Sequence, residues 1–331
     1  IKNLHNPESL YFNISGKDIE IDPRDTKILL PGLDIPDYSH LGKISIPSLT
    51  YSGEPSKFET DFDINTSAGR TYGNAFMDLS GNEIAYKGDI KTSGVNLGKI
   101  FKDKDLEGQI SGDFNVDARG FDYKTMSGKL NYKLISTRMY GINISESSGR
   151  LIFNRGNVDL DLGIRSNIVN ARTKGKINIS NPNNISYDLI GTASNLDIQA
   201  ITKDPSQKSN LTFDFDINGR GTSPDDIAGN FKIDLKPSEF GTIALPVTPI
   251  NAVIDQSGNL RKISIKTNFA EVEADGFFKF TELMDLVIEN SGKIASNISD
   301  KFFPDSLRVR PVENTGYQID CNSYYMNYSL N

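Results

Sequence analysis

The sequence predicts an all-β protein, a long and repetitive antiparallel sheet. Three observations point there. Apolar and polar residues alternate with a period of two over most of the chain, as they do in strands wet on one face only. The alternating runs are short and are separated by clusters of Gly, Asn, Asp and Ser, the residues that turns select. A stretch of roughly fifty residues also recurs 101 positions later without a gap, the mark of a repeat whose units bury their apolar faces by stacking on neighbours.

The repeat is read residue by residue. Tyr86 falls on Tyr187, Lys102-Asp103 on Lys203-Asp204, Asp113-Phe114 on Asp214-Phe215, Arg119-Gly120 on Arg220-Gly221 and Gly128 on Gly229. Apolar positions match as well, Val116 with Ile217 and Leu130 with Phe231. The match continues at Asn167/Asn268 and Gly175/Gly276. It divides the chain into a degenerate first unit (1–85), a second (86–186), a third (187–280) and a tail (281–331) that departs from the pattern.

The chain opens already inside a strand-like run at Leu10-Tyr11-Phe12, so it is expected to be cut from a longer protein. The segment from Asp25 to Pro31 reads as a degenerate copy of the turn that follows at 95–104 and again at 196–205, each a strand end followed by a short helical turn. Strand faces then follow in order. Ile110, Phe114, Val116 and Ala118 share one; Leu130, Tyr132 and Leu134 the next. Phe153, then Val158, Leu160, Leu162 and Ile164, continue the rhythm. It returns at Leu211, Phe213, Phe215 and Ile217, at Phe231, Ile233 and Leu235, and at Val272, Ala274, Gly276, Phe278 and Phe280. About fifteen such runs are expected, which at ~4.8 Å each make about 70 Å of sheet. One helix is expected at 281–301, with Thr281 as its cap, an apolar stripe of Leu283, Val287, Ile294 and Ile298, and Pro304 as its stop. A last strand is expected between Tyr317 and Leu330.

Composition excludes several classes. Net charge is -7 and basic residues are interspersed with acidic ones, so nothing tracks a phosphate backbone and no nucleic-acid partner is expected. The single cysteine, Cys321, forms no internal disulfide and has no zinc-ligand spacing around it. No apolar run approaches the ~18 residues of a membrane-spanning helix.

Chemistry is poorly supported. Only His5 and His40 exist, and neither has a nucleophile motif nearby. Carboxylates fall on the polar strand faces, so the chain is read as a non-enzyme without catalytic residues, metal or cofactor. Asp214-Phe-Asp-Ile-Asn-Gly-Arg-Gly-Thr-Ser-Pro-Asp225 mimics a calcium loop, but its last position holds Asp where the bidentate Glu belongs, and Phe215 and Ile217 fit a strand. Asn-Ile-Ser at Asn13, Asn143, Asn178, Asn184 and Asn297 reads as strand-end and turn composition, not as glycosylation. Arg119 and Arg220 read as solvated strand ends.

One-sided strands leave an apolar face that must be covered. The alternation is compatible with two packings: a closed repeat with a dry core, or an open trough lined by Ile110, Phe114, Val116, Leu130, Tyr132, Leu134, Phe153, Leu160, Leu162, Phe213, Phe215, Ile217, Phe231, Ile233, Leu235, Phe278 and Phe280. Acyl chains suit a trough. At ~0.8 kcal/mol per CH₂, a chain of ~16 carbons gains roughly 13 kcal/mol gross on leaving water. The closed alternative is a secreted or surface β-solenoid with a structural or interaction role.

The phrases from Leu106 to Gly120 (Leu-Glu-Gly-Gln-Ile-Ser-Gly-Asp-Phe-Asn-Val-Asp-Ala-Arg-Gly), Met126 to Tyr132 and Gly149 to Leu162 resemble the AsmA/TamB superfamily over about residues 25–280. The resemblance implies a twisted antiparallel sheet curled into an open groove, a β-taco, in a large bacterial envelope protein. It implies a periplasmic location with an inner-membrane anchor through an N-terminal helix. It further implies phospholipid transport between the two membranes, or outer-membrane biogenesis with a BamA-type barrel as partner. No catalytic residues come with it.

Overall fold

The computed structural model describes residues 10–25, 37–258 and 260–279, and the backbone of 320–328. Within them the chain is one open, unclosed antiparallel sheet. It begins with β1 (Phe12–Ile21), β2 (Ile44–Glu54), β3 (Lys57–Thr66), β4 (Gly69–Asp78) and β5 (Ala85–Val95). Helix α1 (Leu97–Phe101) and a 3-10 turn (Lys104–Leu106) follow, then β6 (Gly108–Arg119), β7 (Ser127–Met139), β8 (Ile142–Asn154), β9 (Asn157–Ser166), β10 (Asn170–Asn178) and β11 (Ser186–Leu196). Helix α2 (Ile198–Thr202) and a 3-10 turn (Pro205–Gln207) lead to β12 (Ser209–Arg220), β13 (Ala228–Leu235), β14 (Ser238–Phe240), β15 (Ile243–Leu245) and β16 (Thr248–Ser257). The described sheet ends with β17 (Leu260–Lys266), β18 (Ala270–Phe277) and β19 (Asp320–Tyr328).

Each strand from β1 to β13 pairs with the next in sequence, β13 with β16, and β16 to β19 again in order. The small pair β14–β15 hangs on the start of β12. No ladder joins β1 to the far end among the described residues. Antiparallel neighbours need only short turns, so the connections are hairpins, apart from the two helical turns and the longer links after β1 and β18.

The repeat is structural as well as textual. Moved by 101 positions, β5 lands on β11, α1 on α2, Lys104–Leu106 on Pro205–Gln207 and β6 on β12, end for end. Strand β7 lands on β13 plus β14, and β8 on β15 plus β16. Prolines cause both splits. Pro237 stands where the earlier unit has Ser136 at φ 46°, an angle the pyrrolidine ring forbids, and Pro246 interrupts the following strand. These breaks are one reason the structure holds more strands than the alternation suggests. Strands β5 and β11 begin one residue before the expected unit boundaries at 86 and 187, and the ladder runs through both without a break. Offset by 101, β2, β3 and β4 overlie β8, β9 and β10. Asp25 closes a 3-10 turn after β1 (Pro23–Asp25), and most of the supposed early turn copy lies outside the described residues. Phe280, His5 and the expected helix at 281–301 lie outside them too.

Both helical turns are capped alike. Asn96 Oδ1 accepts from Lys99 N at 2.9 Å and Asp197 Oδ1 from Gln199 N at 3.1 Å, and Lys102 and Lys203 close the helices at φ 56° and 63°. His40 Nε2 lies 2.9 Å from the Lys99 carbonyl, and Lys99 Nζ donates to Ser67 O at 2.9 Å, which ties α1 to the rim of the sheet.

A line of irregular pairings crosses the sheet near that rim: Ser45/Ser48 in β2, Thr92/Val95 in β5, Gln109/Gly112 in β6, Ile144/Glu146 in β8 and Ala193/Leu196 in β11. Bulges leave backbone groups without ladder partners and bend the strands that carry them. Hydroxyls occupy the gaps. Ser111 N donates to Thr137 Oγ1 at 3.2 Å and Thr137 Oγ1 donates back to Ser111 O at 3.2 Å. One unit on, Thr212 N donates to Ser238 Oγ at 2.9 Å and Ser238 Oγ back to Thr212 O at 3.4 Å. Gly94 N donates to Ser111 Oγ and Asn195 N to Thr212 Oγ1 in the same register. The bend is therefore written twice, with its backbone satisfied each time.

Candidate apolar face

Strand register decides which side chains share a face, because residues directly opposite in the ladder point the same way. Starting from Phe114, one row runs back through Ile90, Gly73, Phe62 and Leu49, and forward through Tyr132, Gly149, Leu162, Thr173, Gly191, Phe215, Ile233 and Ile250. A second row runs Tyr51, Thr60, Ala75, Gly88, Val116, Leu130, Leu151, Leu160, Gly175, Leu189, Ile217, Phe231, Ala252, Ile265 and Val272. A third holds Phe58, Met77, Tyr86, Ala118, Phe153, Val158, Ile177, Tyr187, Ile254, Ile263 and Ala274. No Asp, Glu, Lys or Arg stands in any of the three.

The predicted residues within the described chain all fall on this face. Leu134, Phe213 and Leu235 form a fourth row, Ile110 sits opposite Val95 beyond it, and Phe278 packs against Ile254, Ile263 and Ala274. Leu49, Phe62, Ile90, Leu151, Leu189 and Ile250 escaped the sequence reading. In their own strands small or hydroxylated residues stand two positions away (Thr60 from Phe62, Gly88 and Thr92 from Ile90, Gly149 from Leu151, Gly191 from Leu189, Thr248 from Ile250) and thin the alternation that would have marked them, and a bulge before Leu49 shifts its phase. Those glycines make room. A Cβ at Gly149 would stand 2.5 Å from Leu162 Cδ2 and 2.7 Å from Tyr132 Cε1, and one at Gly191 would stand 2.5 Å from Phe215 Cζ. Aromatic ring atoms thus occupy the space that a side chain would fill at these glycines.

The face has no second layer among the described residues. Extensive strand contacts run only between ladder neighbours. Phe114, Tyr132, Leu162, Phe215, Ile217 and Ile233 are half-buried, Val158 and Leu160 are 8% exposed, and Ile263 and Thr137 are the largest side chains shielded completely among the described residues. One small cluster is dry: Ile254, Ile263, Ala274 and Phe278, with Ile227, Phe231 and Ile265 against it. Inward phenols turn their hydroxyls aside, Tyr86 OH to Gly120 O at 3.2 Å and Tyr51 OH to Glu54 O at 2.8 Å, and burial pushes both phenols, and that of Tyr187, above the usual tyrosine range.

The opposite face is polar and charge-paired. Its central row reads Asp61, Asn74, Asp89, Asn115, Asn131, Arg150, Asp161, Lys174, Ile190, Asp216 and Lys232. Cross-strand ion pairs lie on it: Arg70–Asp63 at 2.6 Å, Lys57–Asp78 at 3.1 Å, Lys91–Asp113 at 3.5 Å and Lys236–Asp214 at 2.9 Å. Asp214, Asp216 and Asn218 of the calcium-like pattern are strand residues here. Two depressions of about 360 and 650 Å³ also open on this face, at positions 101 residues apart: Lys91, Asp113 and Asn115 wall the first, Thr192, Asp214 and Asp216 the second. Their acids and bases are spread along cross-strand rows and do not converge on one point. Among the described residues no group of His, Cys, Asp and Glu is placed to hold a metal.

No protein-family model, curated protein or solved structure matches the chain.

Proposed function

We propose that this chain is a lipid-conducting segment, whose apolar face carries phospholipid acyl chains while headgroups stay in water. The observation that supports it most is a face built of successive apolar rows, without a charge, half-exposed and with no layer of described residues above it. Soluble proteins seldom leave more than ~300–600 Å² of apolar surface uncovered without a ligand or partner. The AsmA/TamB-like phrases point the same way. On that reading the parent protein is held in the inner membrane by an N-terminal anchor and crosses the periplasm. It moves phospholipid between membranes, or supports outer-membrane biogenesis beside a BamA-type barrel. It performs no catalysis and needs no cofactor.

The test is lipid occupancy. Mass spectrometry of the purified full chain should find co-purified phospholipid. Phe114→Asp with Phe215→Asp should lose it while far-ultraviolet circular dichroism stays unchanged. Phe231 is left alone because it packs on the one dry cluster. Lipid-free protein from repeated preparations, or collapse of the double variant, would sink the proposal. It would leave a structural or interaction protein whose apolar face seats another polypeptide.

A further inference from the structure

The apolar face changes character at β16–β18. Elsewhere most of its large side chains are half-buried, whereas Ile254 is 5%, Ile263 0%, Ala274 2% and Phe278 8% exposed. Phe278 makes the difference possible. It follows the end of β18, its neighbour Phe277 points outward at 52% exposure, and Gly276 supplies no side chain between it and the floor. The ring therefore folds back onto Ile254, Ile263 and Ala274.

A second device braces the same place. Arg261, 3% exposed, donates to the carbonyls of Pro224 and Asp225 and to Gln256 Oε1, and Arg220 donates to Gln256 O at 3.0 Å. These bonds tie the β12–β13 loop to β16 and β17, and they hold Ile227, at the end of that loop, against the cluster. The preceding unit has no such tie: Leu160 stands 101 positions before Arg261.

We propose that Phe278, with Ile227 held by Arg261, is a stop that ends the acyl-accessible part of the apolar face at β16–β18. The stop rests on the lipid reading above. An acyl chain seated on β2–β13 meets side chains already in contact there, and it must displace the Phe278 ring to go further.

Ile217 and Val272 share one row, Ile217 on β12 before the cluster and Val272 on β18 at its far side, and a photoreactive benzoylphenylalanine at each in turn tests the stop. The full chain is irradiated with vesicles of phosphatidylethanolamine and phosphatidylglycerol carrying a radiolabelled tracer. Position 217 should crosslink lipid, and position 272 at least about tenfold less. Phe278→Ala should raise crosslinking at 272 toward that at 217, and Phe278→Leu, which keeps apolar bulk, should leave it low. Equal crosslinking at both positions with Phe278 intact overturns the stop, and this comparison holds even if Phe278→Ala fails to fold. Silence at 272 in a Phe278→Ala variant that melts like its parent also overturns it. No crosslink at 217 overturns the lipid reading itself, and the stop with it.

Discussion

Hydroxyl side chains carry the bend of this sheet. Thr137 is 2% exposed, and its Oγ1 is the acceptor for Ser111 N at the bulge. Thr137→Val keeps the shape but orphans that N–H, which costs about 1–3 kcal/mol. The urea midpoint should fall accordingly and the Ser111 amide should lose protection from hydrogen exchange; an unchanged midpoint would mean that water replaces the hydroxyl. Charge acts more weakly on the other face. The Ser80 hydroxyl and backbone N–H, with Lys57, hold the Asp78 carboxyl at about 2, below its ordinary 3.8. A depressed carboxylate stabilises the folded state above its unfolded pKa, and the benefit is lost as pH falls through the folded value. The melting temperature should therefore drop between roughly pH 4 and pH 2, with a shallower slope in Asp78→Asn. Equal slopes in the two proteins would show that this exposed group contributes nothing measurable.

At the level of elements, the helical turns recur because their caps recur. Each helix spans five residues, too few to persist without a cap and an anchor. Removing the side-chain acceptor by Asn96→Ala or Asp197→Ala should cost about 1 kcal/mol each. Exchange of the Lys99 or Gln199 amide reports the loss locally. Asp197→Ala should lose somewhat more than Asn96→Ala, because Asp197 Oδ1 also accepts from Ser209 N at 3.2 Å, and equal losses would show that this second bond contributes nothing measurable. Strands obey a stricter rule. Their period of two means that a one-residue slip would carry Phe114 and Val116 to the charged face and Asp113 and Asn115 to the apolar one.

For the whole molecule, the exact offset makes the sheet divisible. One unit adds the strands β6 to β11, an even number, so the chain leaves each unit running in the direction in which it entered. Deleting residues 86–186 joins Ala85 to Tyr187 and keeps every later strand antiparallel to its new neighbour. The shortened protein should retain its strand signal and a cooperative melt, since each unit contacts only its neighbours. Deleting β6 alone reverses the direction of everything after it, and insoluble protein is expected. Soluble, folded protein from that deletion would mean that the ladder order is not what holds the sheet together.

Much of this protein was legible in its residues. The alternation at Ile110–Ala118 and Leu211–Ile217, the 101-residue match and the short turns at 95–104 and 196–205 all appear in the structure at those positions. Leu49, Phe62 and Ile90 were not legible, because Thr60, Gly88 and Thr92, two positions from Phe62 or Ile90 along their own strands, thin the apolar alternation, and the bulge at Ser45/Ser48 shifts the phase before Leu49. Nor was the dry cluster, where Phe278 meets Ile254 only once β16, β17 and β18 are paired. Side-chain period is a local property of an extended backbone, so the sequence by itself determined that there are two faces and which residues each strand sends to them. Whether the sheet closes is set by how strands register and where bulges bend them. Only the tertiary structure decided that the sheet stays open, with its apolar rows in line and no described layer above them.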